Sequence, residues 1–248
     1  MKKLLPILVL TGLTGLSAQT VYFSDNFESD TVGSTPSGWT NTSPGKTIVQ
    51  DTGSPFGANN KYVELIDSTT GGQLNFSETT NELEGIASLF SFDYYEPTSI
   101  YTDTMNFGYG ASDINSSGPA VLSIGEGSIK GISAYSMDTD VRIFLYVNDT
   151  AENTFYSIGD NTNVSLAAST YNLWVYDYTS DTYSQIISDG TVGSNNVERF
   201  GFRVFNAATQ QAYIDNVNVS SIPEPSTYAL GVASITLLLA YVKRRSRK

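Results

Sequence analysis

The sequence predicts an all-β protein, a two-sheet antiparallel β-sandwich, and three observations carry that expectation. Between Thr20 and Ser220 apolar residues recur at every second position rather than at the 3.6-residue spacing of a helix. Turn formers break these runs at short intervals, as in TGSPFGANN (52–60), DSTTGG (67–72) and SDGTVGSNN (188–196). No amphipathic helix of useful length lies between them. About a dozen short strands spaced this way read as two packed sheets.

The first element precedes the sandwich. Lys2 and Lys3 lead into a mostly apolar run, 4–16, which ends at the small pair Ser17-Ala18. That layout predicts a secretory signal peptide over 1–18, cut after Ala18. The body that follows, 19–221, has roughly 200 residues, enough to close one hydrophobic core.

Within the body the clearest strand is DVRIFLYVN, 140–148. Val141, Ile143, Leu145 and Val147 share one face, and Arg142, Phe144 and Tyr146 share the other. Similar runs occupy 20–27, 61–66, 86–95, 171–178, 198–205 and 212–219. Weaker runs occupy 47–50, 73–76, 104–109, 120–124, 129–134, 155–158 and 183–187. FLYVNDTAENTFYSIGD (144–160) lines up with LWVYDYTSDTYSQIISD (173–189). Each places an aromatic strand before an acidic turn, which predicts two neighbouring hairpins of a meander.

Composition removes several chemistries. The chain has no Cys and no His. A disulfide frame, a Ser-His-Asp triad, a Cys-His pair and a histidine zinc site are therefore excluded within it. Of the 13 basic residues two lie in the leader and five in the tail; of the 25 acidic residues one lies in the tail. Six bases against 24 acids leave the body at −18. Nucleic acid is excluded as a partner on that charge, while cations and neutral polymers suit it.

The last element is the tail, 222–248. Its stretch 228–242 is uncharged and mostly apolar, and its 15 residues would span about 22 Å as a helix against about 30 Å of hydrocarbon. KRRSRK, 243–248, favours the cytoplasmic side and leaves the body outside. Pro223 and Pro225 keep the preceding backbone extended and within reach of a processing enzyme.

Pro223-Glu224-Pro225, an apolar helix over 226–242 and a basic end, in that order at the C-terminus, resemble the PEP-CTERM sorting signal of bacterial surface proteins. The resemblance implies recognition by an exosortase, a membrane-embedded processing enzyme. It also implies membrane anchoring through the helix before processing, then residence at the cell surface or in an extracellular polysaccharide or biofilm matrix. FSDNFESDTVGSTPSGWT (23–40) and AYIDNVNVSSIPEPS (212–226) resemble the opening and closing strands of concanavalin-like, carbohydrate-binding jelly rolls. In such folds the first and last strands lie together, and acidic residues on them can hold a structural calcium. The matching positions are Asp25, Glu28 and Asp215, with Asp30 beside them.

Tyr94, Tyr95, Tyr101, Phe107, Tyr109, Trp174, Tyr176 and Tyr178 could offer rings to sugar C–H faces, although aromatic residues also fill sandwich cores. A glycan hydrolase would need two suitably spaced carboxylates. Glu82 with Glu84, and Asp93 with Glu96, are the pairs available, and neither lies in the ExDxxE strand pattern. The sequence therefore points to a non-catalytic body that binds extracellular polysaccharide. A divergent hydrolase and a structural coat protein without a ligand are the alternatives.

Overall fold

In the computed structural model the described residues are 19–41, 47–67, 73–79, 83, 85–98, 105–110, 120–193, 199–205 and 210–222. The predicted signal peptide, the Pro223-Glu224-Pro225 motif and the rest of the tail lie outside them. The chain divides into the body, Gln19–Ile222, and a unit made of the two terminal segments.

Among the described residues the body is built from strands, without a helix. They are β1 (Val21–Asp25), β2 (Thr40–Asn41), β3 (Thr47–Gln50), β4 (Tyr62–Asp67), β5 (Gln73–Thr79) and β6 (Ala87–Tyr95). Next come β7 (Met105–Gly110), β8 (Ala120–Gly125), β9 (Ser128–Ile129), β10 (Ile132–Ser133), β11 (Asp140–Asn148) and β12 (Thr154–Ile158). The last five are β13 (Asn161–Leu166), β14 (Thr170–Asp177), β15 (Thr182–Thr191), β16 (Arg199–Phe205) and β17 (Gln210–Ser221). One sheet runs β15-β14-β11-β6-β17-β4-β3, with β1 also on β17; the other runs β10-β9-β8-β7-β16-β5-β2. The ladders described between these strands are antiparallel. The predicted sandwich is present, and its first and last strands are hydrogen-bonded neighbours, as the jelly-roll resemblance implies.

Period two fixes which side of each strand meets the core. Phe90, Phe92 and Tyr94 of β6, and Val141, Ile143, Leu145 and Val147 of β11, point between the sheets. They meet Phe76, Phe107, Leu122, Phe200 and Phe202 from the second sheet. Phe92 lies 5.0 Å from both Phe107 and Phe202, and Phe90 lies 5.2 Å from Phe200. Burying each such ring is worth about 1.5–3 kcal/mol.

Three details depart from the sequence expectation. The stretch 144–160 is not a hairpin: β12 pairs with β13, and this ribbon lies over the outer face of the larger sheet. Tyr156, Ile158 and Leu166 of the ribbon pack there on Tyr146 and Trp174 in a second, smaller core. The Asn148 amide anchors the ribbon by donating to the carbonyls of Glu152, Leu166 and Ala167. Second, β13 itself (NTNVSL) carries mostly small polar residues of low strand preference, so its sequence gave no strand signal. Third, 129–134 is not one strand, because Lys130 and Gly131, at φ 52 and 75, turn the chain between β9 and β10. By contrast 173–189 does form a hairpin, β14–β15.

Candidate functional site

The outer face of the larger sheet is where polar and aromatic side chains converge. Strand alternation puts Arg142 and Phe144 outward on β11, Ser91, Asp93 and Tyr95 outward on β6, and Tyr176 outward on β14, because their neighbours fill the core. The register then aligns them. Tyr183 of β15 stands opposite Tyr176, Tyr176 opposite Arg142, Arg142 opposite Asp93, and Asp93 opposite Asp215 of β17. Five adjacent strands thus present one row, roughly 19 Å long at about 4.8 Å per strand.

The centre of the row is a closed hydrogen-bond network. Arg142 Nη1 donates to Asp93 Oδ1 at 2.8 Å, and Nη2 donates to Ser91 Oγ at 2.9 Å and to the Asn216 carbonyl at 3.4 Å. The Tyr178 hydroxyl donates to the same Asp93 oxygen at 2.9 Å. Burial, more than the nearby Asp93 charge, pushes the Tyr178 phenol above its ordinary range. Asn216 Nδ2 bridges Asp93 Oδ2, at 2.7 Å, and Asp215 Oδ2, at 3.1 Å. It can do so because β17 bulges between Asp215 and Asn218, with Asn216 at φ 48. The extra residue also keeps both Ile214 and Val217 facing the core.

Asp215 is fully buried. Asn60 Nδ2 reaches its Oδ2 at 2.5 Å, and the Asn216 N–H reaches its Oδ1 at 2.6 Å. Desolvation nevertheless dominates and pushes its pKa up to about 6, with the charges of Asp93 and Glu28 adding to the rise.

Beside this centre lies an aromatic platform. The Tyr183 ring stands 4.6 Å from Tyr176 and 5.9 Å from Phe144, and Tyr178 meets Tyr176 edge-on at 4.9 Å. Tyr178 and Tyr183 are 41% and 37% exposed. The Arg142 guanidinium lies 5.6 Å from the Phe144 ring centre. Gly159, in the β12–β13 turn at φ +53, lets the backbone close on Tyr183; a Cβ there would lie 2.6 Å from the ring. On the far side of the row Tyr95 stacks on Tyr213 at 5.5 Å.

The structure sorts the sequence-predicted aromatics. Tyr95, Tyr176 and Tyr178 reach the outer face. Tyr94 and Phe107 are inner-core residues, and Trp174 is buried beneath the β12–β13 ribbon. Tyr101 and the Tyr109 side chain lie outside the described residues. Tyr183, Phe144, Arg142 and Asn216 were not singled out from sequence. A pattern of carboxylates and platform rings omits an arginine on a strand and an asparagine in a bulge. Phe144 and Tyr183 read from sequence as ordinary strand residues.

The carboxylates matched to a calcium site sit among N–H donors. Asp25 accepts from the Phe27 N–H and from Trp39 Nε1, both at 2.8 Å. Glu28 Oε1 accepts the Lys61 N–H at 2.9 Å, and Asp30 Oδ1 accepts the Ser37 hydroxyl. The Lys61 ammonium donates to the carbonyls of Glu28 and Asp30, both at 2.8 Å, and so takes oxygens that a bound cation would use. Among the described residues no three acidic side chains gather with the spacing of metal ligands.

Of the two hydrolase pairs, Asp93 with Glu96 lies among the described residues. Glu82 and Glu84 lie outside the described residues. Glu96 is buried away from Asp93 and its network, accepting the N–H groups of Glu126 and Gly127 and the Tyr135 hydroxyl, which ties the β8–β9 turn to the end of β6.

No protein-family model matches the sequence, and no curated protein is similar to it. Solved structures do resemble the fold. The exoplasmic/lumenal domain of VIP36, in its Ca2+/Man-bound form, matches with a TM-score of 0.51 and 8% identity, over 77% of this chain and 86% of that one. A sialidase matches with a TM-score of 0.48 and 15% identity over 83% of this chain, which spans 19% of the sialidase's length. The lectin UEA-II, complexed with galactose, gives a TM-score of 0.45 and 8% identity, over 81% and 98%. At these identities the likeness is one of fold: this chain shares the β-sandwich of the VIP36 domain.

Proposed function

We propose that this is an exported bacterial surface or matrix protein whose body, without catalysis, associates with extracellular polysaccharide. The observation that carries the binding half is the partly exposed ring set of Tyr176, Tyr178 and Tyr183 beside an arginine fixed in place by Asp93. Rings of this kind take the C–H faces of sugars, and a held guanidinium takes their hydroxyls. The sandwich is also the fold of a protein seen in a Ca2+/Man-bound form. The Asp93–Asp215 pair favours binding over hydrolysis, because both carboxylates are buried and each oxygen already accepts a donor. A glycan array probed with the whole protein, with and without calcium, tests this half. Specific glycan signals are expected. A blank array in both conditions leaves a structural coat role instead.

Export and sorting rest on the sequence alone. The leader 1–18 sends the chain out, and Pro223-Glu224-Pro225 with the apolar and basic segments behind it is the substrate of an exosortase. Mass spectrometry of the mature protein tests this half. It should find an N-terminus near Gln19 and a C-terminus before the basic end in host cells, with the tail retained where the processing enzyme is deleted. An intact Met1 and Lys248 in the cytosol would overturn it.

A further inference from the structure

The outer-face row also bears on what kind of glycan is held, an inference that rests on the glycan-binding proposal above. Its cation is already spent. Arg142 ion-pairs with Asp93 at 2.8 Å, so the centre of the row brings no net positive charge. The rim is acidic: Asp181 takes the Tyr176 hydroxyl at 2.7 Å, and Asp177 caps the β14–β15 turn through the N–H groups of Thr179 and Ser180. The body as a whole is at −18, from the same count of six bases and 24 acids. A polyanion laid here would be repelled.

What the row does offer suits hydroxyls and ring faces. Three of the five guanidinium N–H groups of Arg142 are used by Asp93, Ser91 and the Asn216 carbonyl. Two donors remain, the side chain is 21% exposed, and Asp93 balances its charge. Tyr176 and Tyr183, held against each other, with Phe144 against Tyr183, continue the same line. Their spacing along the register follows the strand-to-strand repeat of about 4.8 Å, close to the length of one sugar ring.

We infer that the row Tyr183–Tyr176–Arg142 is a subsite for an uncharged polysaccharide lying across the strands. Its ring faces stack on the two tyrosines, and its hydroxyls accept from Arg142. Polyuronates are disfavoured at this site.

Affinity electrophoresis of the full-length protein tests this, with soluble mannan, dextran and mixed-linkage β-glucan in one set of gels and alginate and polygalacturonate in another. At least one neutral polymer should retard the protein. The retardation should persist from about 0.05 to about 0.5 M salt, because no ion pair to the ligand is involved. Tyr176→Ala and Tyr183→Ala should each weaken it about tenfold or more. Tyr176→Phe should restore most of it, since the ring remains. Phe155→Ala, which removes an exposed ring on β12, should leave it unchanged. Tyr183 is partly exposed on an edge strand, so its truncation leaves the core intact, and an unchanged thermal midpoint confirms that. Retardation by polyuronates alone, lost in salt and lost in Tyr176→Ala, would overturn the inference while the protein remained a glycan binder. Neutral-polymer binding indifferent to both tyrosines would do the same. Retardation by none of the polymers would remove the binding proposal itself.

Discussion

Asp93 and Asp215 stand opposite each other on neighbouring strands and share one amide, that of Asn216, at 2.7 and 3.1 Å. Their other partners differ. Asp93 has an arginine, whereas Asp215 has only neutral donors and lies fully out of water. The two carboxyls are thus neighbours with different electrostatics, and the difference is measurable.

Asp215 should make the protein less stable as pH rises. Its carboxyl titrates near 6 in the folded state, against about 3.9 when unfolded. Below about pH 4 the group is protonated in both states, and the native state suffers no cost from a buried charge. As pH climbs through 6 the native state binds more protons than the unfolded one, so stability falls, by about 3 kcal/mol in full. Asp215→Asn cannot titrate. Urea unfolding should therefore show wild type losing about 2–3 kcal/mol relative to the variant between about pH 4 and about pH 7.5. A pH-independent difference would mean that the carboxyl is not held up.

Asn216 has two jobs that two substitutions separate. Asn216→Gly keeps the left-handed backbone freedom at φ 48 but removes the bridging amide, and should cost about 2 kcal/mol at neutral pH. Asn216→Ala removes the amide and adds left-handed strain, and should cost about 1 kcal/mol more. Equal losses in denaturant titrations would show that the bulge tolerates a Cβ freely.

Tyr156 is the keystone of the second core. Its hydroxyl accepts from Asn172 Nδ2 at 2.9 Å and from Trp174 Nε1 at 2.8 Å, and its ring stacks on Tyr146 at 3.7 Å. Tyr156→Phe keeps the ring and deprives two buried donors of their acceptor, a cost of about 2–4 kcal/mol. With Trp39→Phe as the background, Trp174 fluorescence isolates this region, and its thermal transition should shift downward. An unchanged transition would show that the ribbon is held by apolar contact alone.

The strand period made much of this legible and left the rest hidden for a physical reason. Alternation told Val141 from Arg142, and the structure agrees. It could equally place Tyr94 and Tyr95 on opposite faces, yet which of the two meets the core depends on where the second sheet packs. Asp93 and Asp215 become a pair only when β6 and β17 lie side by side, a long-range choice that no local pattern encodes. Asn216 escaped notice because a bulge interrupts the period there. The β12–β13 ribbon escaped because Asn161, Thr162, Asn163 and Ser165 read as loop residues. The positions matched to a calcium site follow from order along the chain alone, whereas the donors around them, backbone N–H groups and Lys61, come from segments the pattern does not bring together.

Gly201 tests the second sheet. It sits on β16 between β5 and β7, where a Cβ would lie 2.3 Å from the Phe76 carbonyl oxygen and 2.7 Å from Ser77 Cα. Both are backbone atoms of a paired strand and cannot step aside as a side-chain tip can. Gly201→Ala should cost about 3 kcal/mol or more in chemical denaturation. A loss below about 1 kcal/mol would mean that this ladder shifts easily.

The body's last strand is not at an edge. β17 is paired with β6 along one side and with β4 and then β1 along the other, and Ser221 N–H still reaches the Thr20 carbonyl at 2.8 Å. Anything fastened beyond Ile222 therefore tugs on a strand gripped from both flanks. Its rungs lie across the direction of pull, so they must shear together instead of unzipping singly. A pull applied at that end would load the rungs of three ladders at once.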